Sequence, residues 1–145
     1  MRELNEKSIK NFFYNLKIKN SDTVLIHGNS AIINYFDGEN NQKKINLFCK
    51  LILNYFKKEG TILVPTFTYS FTKTNYFDPL DTKSEIGNFS ESMRKIIKIR
   101  TYHPIFSFAI YGKKKKNFMN SDNNDCFGEK TIFNQIFCYH ITTFD

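Results

Sequence analysis

The order strand, helix, strand in the first half of the chain constrains the fold more than any other feature. Thr23–Ile26 is a short, apolar, β-prone run, and Thr61–Val64 is a second such run, with an interruption predicted at Pro65 because proline cannot donate to a sheet ladder. Between them, Lys43–Lys58 has apolar residues at helical period, and Gly60 follows as a residue typical of helix ends. The pattern is a βαβ unit, which predicts an α/β fold with a βαβ-based central sheet flanked by helices.

Other periodic segments add helices and a third strand to this unit. An N-terminal amphipathic helix is predicted from apolar residues at i, i+3, i+4 and i+7 spacing, namely Ile9, Phe12, Phe13 and Leu16. Asn88 and Glu91 form a capping arrangement that predicts the start of a further helix. The apolar run Ile105–Tyr111 predicts a third strand covered on both faces, and Thr131–Phe137 predicts a short helix.

The size of the chain favours a single domain. Aromatic residues make up 17% of the chain, which is ample material for one core. A chain of 145 residues is too short for two domains of ordinary size. Three strands make a small sheet for an α/β domain, so we expect a fourth strand after Asp145. Residues 1–145 are therefore interpreted as one incomplete domain.

Charge and cysteine content restrict the classes of partner. The net charge of +7 favours a polyanionic partner, which leaves open a nucleic acid, an anionic membrane surface or a phosphate-bearing cofactor. No segment approaches the roughly 20 apolar residues of a membrane span, and the first residues do not resemble a signal peptide, so a cytoplasmic location is expected. Cys49, Cys126 and Cys138 are widely spaced and form no paired motif, which predicts neither disulfides nor a metal site.

Four stretches, taken in order, resemble the aminoglycoside 3-N-acetyltransferase family. They are Asp22–His27, Gly60–Thr68, Phe77-Asp78-Pro79 with Thr82, Ser84, Ile86 and Gly87, and Arg100-x-x-His103-Pro104 with Ser107 and Gly112. Phe127-Gly128-Glu129 followed by Thr131 resembles the family's next segment. The chain departs from the family at Gly28-Asn29-Ser30, where members usually carry serines, and it lacks the family's His-x-x-Glu segment, which resembles the seat of the catalytic histidine.

The resemblance implies an acetyl-CoA-dependent N-acetyltransferase, of which residues 1–145 are the N-terminal portion. The acceptor would be an amine of an amino sugar, either the 3-amino group of an aminoglycoside antibiotic, which would confer resistance, or an amino sugar of a surface glycan. Acetyl-CoA is the implied co-substrate, with no metal, no nucleic-acid partner and no membrane association. The oligomeric state is left open, and the fragment is expected to be inactive if its base lies after Asp145.

Acetyl transfer needs a thioester held within attack distance and hydrogen-bond donors where the oxyanion develops. Backbone amides and hydroxyls after the first two strands fit these needs, and Arg100 fits the phosphates of coenzyme A. The predicted cofactor contacts are His27, Gly28, Asn29, Ser30, Thr66, Phe67, Thr68, Arg100, Thr101 and Ser107. The alternative is structural: Gly28 and Asn29 would permit a left-handed turn, and the threonines would be ordinary strand-end residues.

His103 is the candidate proton acceptor within the chain, since the proline after it holds it extended. The alternative is a structural histidine bonded to nearby backbone. Tyr69, Phe77 and Asp78 lie in the long segment Thr66–Asn88 and are the predicted contacts of a cationic amino sugar. Phe-Asp-Pro is also an ordinary turn sequence.

Two other functions remain open from the sequence. A basic nucleic-acid-binding module would explain the charge, although most aromatic residues fall in helices and strands instead of alternating with Lys and Arg. A non-catalytic remnant would explain the missing base segment.

Overall fold

The computed structural model describes residues 3–38, 40–57, 59–138 and 142–144. The helices are α1 (Glu6–Asn15), a 3₁₀-helix (Ser30–Tyr35), α2 (Asn41–Phe56), α3 (Phe71–Thr74), α4 (Asn88–Ile97), α5 (Lys115–Met119) and α6 (Ile132–Cys138). The strands are β1 (Thr23–Ile26), β2 (Thr61–Pro65), β3 (Phe108–Gly112) and β4 (Thr142–Phe144). No helix among these residues combines the length and hydropathy that a membrane crossing requires.

The four strands form one mixed sheet in the order β3-β2-β1-β4. β1 and β2 are parallel, with Val24 opposite Ile62, and α2 connects them, which confirms the predicted βαβ unit. β3 is antiparallel to β2, and β4 is parallel to β1. The fourth strand was expected after Asp145, and this expectation is wrong because Thr142–Phe144 already provide it.

Two strand boundaries differ from the prediction for local reasons. Pro65 does not interrupt β2 but is its last residue, opposite Phe108, where the loss of one N–H donor affects only the end of the ladder. β3 begins at Phe108 instead of Ile105, because the N–H groups of Ile105 and Phe106 donate to the imidazole of His103. The turn before β3 therefore uses donors that an extended strand would have offered to its neighbour.

The two faces of the sheet carry separate apolar clusters. Ile62 and Val64 of β2 and Ala109 of β3 face the larger cluster, which α1, α2 and α4 cover. Leu63, between Ile62 and Val64, belongs with Phe108 and Ile110 to the smaller cluster, which also contains residues of α5 and α6. This alternation follows from the period of two along a strand, and it confirms that the sheet is covered on both faces.

Two glycines allow the backbones to approach closely where β2 begins and β3 ends. A β-carbon on Gly112, whose φ is +111°, would lie 2.0 Å from the carbonyl oxygen of Gly60. The prediction that Gly60 caps α2 is wrong, because the helix ends at Phe56 and Lys57, with a φ of 36°, is its C-cap. Gly60 donates its N–H to the carbonyl of Phe56 and allows β3 to approach the start of β2 closely.

The capping arrangement predicted for α4 is wrong in its partners. Gly87, with a φ of +123°, occupies the N-cap position, and no side chain caps this helix. The carboxylate of Glu91 instead accepts the backbone N–H of Ser84 at 2.8 Å. Glu91 therefore ties α4 to the long segment that precedes it.

Candidate functional site

The predicted cofactor residues lie at one edge of the sheet. β1 ends at Ile26, and its parallel neighbour β2 ends at Pro65, so the segments that follow them leave from the same edge. β3 is antiparallel and begins opposite Pro65, which places Ser107 at that edge as well. The outer ends of neighbouring strands in an α/β sheet are a common place for ligands.

The loop after β1 is the more open part of this edge. His27 and Asn29 are exposed, and the space beside the α-carbon of Gly28 is empty to 4 Å. The side-chain oxygen of Asn29 accepts the N–H of Ala31 at 2.9 Å and caps the 3₁₀-helix. The side chain of Ser30 lies outside the described residues.

The alternative reading of this loop as a left-handed turn is wrong. Asn29 is extended, with a φ of −84° and a ψ of 135°. Gly28 is not among the glycines that adopt positive φ. The glycine therefore leaves room beside the backbone without being required by the backbone conformation.

After β2, the polar residues are enclosed around the guanidinium of Arg100. This residue is 3% exposed. Its Nε donates to Ser107 Oγ at 2.9 Å, and its Nη2 donates to Thr68 Oγ1 at 2.7 Å and to the carbonyl of Thr66. Its Nη1 donates to the carbonyl of Thr82. All three guanidinium nitrogens therefore have protein acceptors.

Thr66 and Ser107 also bond directly to each other. The backbone N–H of Thr66 donates to the carbonyl of Ser107 at 2.8 Å, and Ser107 Oγ donates to the carbonyl of Thr66 at 3.0 Å. Both residues are fully buried. We call Thr66, Thr68, Arg100 and Ser107 the Arg100 network.

Burial lowers the pKa of Arg100 to about 10, with a smaller contribution from the nearby charge of Arg94. The guanidinium is still charged at neutral pH, and the four oxygens around it replace the water that it loses on folding. The predicted contact between Arg100 and the phosphates of coenzyme A stays a prediction, and the observed partners are those of a residue that fixes the surrounding backbone.

Thr101 and Phe67 complete this edge from two sides. Thr101 pairs with the start of β3, because its N–H donates to the carbonyl of Phe108 and its hydroxyl accepts the N–H of Phe108 at 2.9 Å. The ring of Phe67 packs edge-on against Phe106 and Phe108, with centroids 5.2 and 5.5 Å apart. Thr101 and Phe67 therefore stabilise the start of β3 by hydrogen bonding and by aromatic packing.

The three residues that were predicted to contact the amino-sugar substrate lie in different environments. Tyr69 is 50% exposed, and its backbone N–H donates to the carboxylate of Glu85. The ring of Phe77 lies under the guanidinium of Arg100, 4.9 Å from its central carbon. Asp78 closes a turn, since its Oδ1 accepts the N–H groups of Leu80 and Asp81 at 2.7 and 3.1 Å. The Asp78 geometry matches the turn-forming alternative, and Tyr69 offers the most exposed surface.

Sequence reasoning missed a second buried cation, Arg94. Its Nε and Nη2 donate to the carboxylate of Glu91 at 2.8 and 2.9 Å, and its Nη1 donates to the carbonyl of Leu80. Burial by itself would raise the pKa of Glu91, but hydrogen bonds from Arg94 and Ser84 outweigh it and lower the pKa to about 2. The i, i+3 spacing of Glu91 and Arg94 was the available signal.

His103 is 8% exposed and both of its ring nitrogens have partners. Nδ1 accepts the N–H groups of Ile105 and Phe106 at 3.2 and 2.9 Å. Nε2 lies 3.4 Å from the sulfur of Cys126, a contact that the sequence did not indicate. Burial lowers the pKa of His103. This is the backbone-bonded arrangement of the structural alternative, while the role of proton acceptor stays a prediction.

Three open cavities have volumes of about 310 to 1250 Å³, and none of the predicted cofactor, acceptor or catalytic residues lines them. The largest lies between α1 and the 3₁₀-helix, and Phe12, Ile32 and Tyr35 are among its lining residues. Within the described ranges, no group of three His, Cys, Asp or Glu side chains could hold a metal ion.

Comparison with protein families identifies the family to which this chain is related. The model of the family described as aminoglycoside 3-N-acetyltransferase matches residues 25–139. The chain belongs to the aminoglycoside 3-N-acetyltransferase family. The match includes the loop after β1, the Arg100 network and His103, so the candidate site lies within the family region. No curated protein matches the chain significantly.

Solved structures with similar folds support the architecture. YokD from Bacillus subtilis has a TM-score of 0.76 at 19% identity, over 91% of this chain and 60% of YokD. Sisomicin-bound AAC-VIa has a TM-score of 0.79 at 13% identity, over 98% of this chain and 59% of that one. AAC-IIIb in a binary complex with CoASH has a TM-score of 0.69 at 16% identity, over 91% and 55%. The chain therefore spans somewhat more than half the length of these proteins.

Proposed function

We propose that this chain forms the coenzyme A side of an acetyltransferase that moves an acetyl group from acetyl-CoA to an amine of an amino sugar. The observation that carries the proposal is the family match over residues 25–139, which includes strand-end segments that the fold brings to one edge. AAC-IIIb, whose fold is similar, forms a binary complex with CoASH, which supports coenzyme A as a ligand. Residues 1–145 would then be the N-terminal portion of the catalytic domain.

We assign different tasks to the two parts of the edge. The loop of His27, Gly28 and Asn29 is exposed and has space beside Gly28, so it is suited to receive the pantetheine arm or a phosphate through backbone N–H groups and the Asn29 amide. The Arg100 network is enclosed and fixes the backbone of Thr66 and Thr68 at the neighbouring position. Binding by the first part relies on the rigidity of the second.

The proposed acceptor is an amino sugar because AAC-VIa, with a similar fold, binds sisomicin. Tyr69 is the proposed contact, since its side chain is half exposed and its backbone N–H donates to the carboxylate of Glu85. An aminoglycoside antibiotic and an amino sugar of a surface glycan share this chemistry. A panel containing both kinds of acceptor distinguishes them.

The proposed reaction needs a base that takes a proton from the ammonium before attack, or from the amine nitrogen as it attacks the thioester. Among residues 1–145 there is no His-x-x-Glu segment, and His103 has both nitrogens engaged. We therefore propose that this chain binds coenzyme A and that transfer requires the family's base segment.

Titration calorimetry with coenzyme A and a thiol-release assay with acetyl-CoA and amino-sugar acceptors test this division. The 145-residue chain should bind coenzyme A, and a version extended by a relative's base segment should release thiol only when the acceptor is added. A chain in which Gly28 is changed to Val serves as the control for the binding edge. Absence of coenzyme A binding by both the short and the extended forms would overturn the proposal and favour the remnant alternative.

A further inference from the structure

The contact between Cys126 and His103 has no task in the proposed transfer reaction. The sulfur of Cys126 lies 3.4 Å from Nε2 of His103, on a segment 23 residues further along the chain. The other ring nitrogen, Nδ1, accepts two backbone N–H groups, so it carries no proton. A neutral imidazole then carries its proton on Nε2, which donates it toward the sulfur.

The surroundings keep this pair together, and Cys126 keeps partial exposure to solvent. His103 is 8% exposed, whereas Cys126 is only partly buried. The backbone on either side of the cysteine is held by Asp125, whose Oδ1 accepts the N–H of Phe127 at 3.2 Å. The ring of Phe127 packs on Phe133 with centroids 5.3 Å apart. The sulfur is therefore held beside a hydrogen-bond donor, in a residue that is partly exposed to solvent.

The other two cysteines provide an internal comparison. Cys49 is fully buried in the core of α2, and burial raises its pKa to about 12, so its thiol is protected and poorly nucleophilic. Cys138 is exposed at the end of α6, with its sulfur 4.0 Å from the amide oxygen of Asn134, which is an acceptor and not a donor. The described contacts of Cys126 include the imidazole of His103.

We propose that Cys126 is a modification site at which small disulfides form a mixed disulfide, assisted by the Nε2–H donor of His103. In this step the sulfur of Cys126 attacks one sulfur of the small disulfide. The S–S bond of the reagent breaks, a new S–S bond to Cys126 forms, and the leaving thiolate takes up the proton lost from Cys126. No further oxidant is needed, and the step does not depend on coenzyme A binding.

Oxidised glutathione is the probe for this site, and mass spectrometry of peptides gives the rate at each cysteine of the full chain. We expect Cys126 to be modified about threefold faster than the more exposed Cys138. One ordinary hydrogen bond favours the thiolate about tenfold, and the accompanying loss of nucleophilicity cancels about half of this factor on a logarithmic scale. Cys49 should react only after unfolding. Equal rates at Cys126 and Cys138 in the unaltered chain would overturn the proposal without the need for any variant.

The substitution His103→Asn isolates the role of the imidazole. Its side-chain oxygen can accept the same backbone N–H groups as Nδ1, but it has no donor at the position of Nε2. We expect the rate at Cys126 to fall to that at Cys138, while the rate at Cys138 and the circular dichroism spectrum stay unchanged. An unchanged rate at Cys126 in a folded His103→Asn chain would show that exposure, and not the imidazole, determines reactivity.

Discussion

Two segments at the same edge of the sheet differ in how their polar groups are satisfied. After β2, the carbonyl of Thr66 and the hydroxyl of Thr68 are enclosed and bonded to Arg100. After β1, His27 and Asn29 are exposed, and Gly28 has open space beside it. Both segments follow parallel strands, so position in the topology predicts where a ligand could lie but does not distinguish a binding surface from its support.

The difference has a simple physical basis. A buried polar group must find partners inside the protein, and once it has them it is no longer available to a ligand without breaking them. The polar groups of the Arg100 network are bonded within the protein, whereas the side chains of His27 and Asn29 in the loop after β1 are exposed to solvent. Substitutions should therefore affect stability at the first segment and ligand binding at the second.

The largest expected effect is that of Arg100→Met on stability. Removal of the guanidinium takes its hydrogen bonds away from the carbonyls of Thr66 and Thr82 and from the hydroxyls of Thr68 and Ser107, which should lower the free energy of unfolding by about 3 kcal/mol or more. Urea denaturation followed by circular dichroism measures this loss. Lys113→Met is the matched control, because that cation pairs with Glu59 in an exposed salt bridge and should change stability by under about 1 kcal/mol. Similar losses in the two variants would contradict the assigned difference.

Glu91→Gln is expected to have the next largest effect, about 2 kcal/mol, because it leaves the buried guanidinium of Arg94 without its counter-charge. The same pair predicts a dependence on pH. The folded-state pKa of Glu91 is about 2, below its ordinary value of 4.5, so its stabilisation is present above pH 4.5 and is lost as the pH falls toward 2. Acid titration of the unaltered chain and of Glu91→Gln should show that the variant lacks this part of the transition. Identical acid profiles would refute the role of Glu91.

Thr68→Val should have a smaller effect, about 1 to 2 kcal/mol. The hydroxyl of Thr68 accepts from Arg100 at 2.7 Å and donates to the carbonyl of Lys83 at 3.1 Å, and valine retains the shape but neither bond. Coenzyme A binding, measured by calorimetry on the folded variant, should weaken only slightly. A complete loss of binding with little loss of stability would instead identify Thr68 as a direct ligand contact.

Asn29→Ala should have the smallest effect on stability, about 0.5 to 1 kcal/mol, because the side chain caps only one short helix at the surface. Its effect on coenzyme A binding should exceed that of Thr68→Val if the open loop receives the ligand. Asn29→Ser, which retains a capping oxygen, is the control that separates capping from ligand contact. Unchanged affinity in both variants would remove Asn29 from the proposed binding surface.

Much of the fold follows from the sequence because its signals are local. The helical period of α2 and the apolar runs of β1 and β2 predict the βαβ unit, which the structure confirms. The short helices α3 and α5 were not predicted, since four or five residues carry too little periodicity to be recognised. The extra strand β4 was misplaced beyond the chain because its residues were read as an unfinished end.

The sequence predicted that the candidate site residues lie near one another, but not how each of them is bonded and buried. The sequence indicated that segments after strands would lie together, and the family resemblance named the residues. It could not show that Arg100 would reach Thr66, 34 positions away, or that Glu91 would bond to Ser84 and Arg94 instead of capping a helix. Such contacts depend on which distant segments of the chain meet in the folded structure. The secondary-structure propensities of individual residues do not describe this.

The sequence by itself determined the α/β class, the central βαβ unit and membership of an acetyltransferase family, because periodicity, turn residues and ordered motifs are encoded locally. Only the tertiary structure decided which polar side chains are enclosed and which face solvent. It also brought Cys126 beside His103 across 23 residues of chain. The physical reason is that the hydrogen bonding and burial of a side chain are properties of its neighbours in space, and packing of the whole chain selects those neighbours.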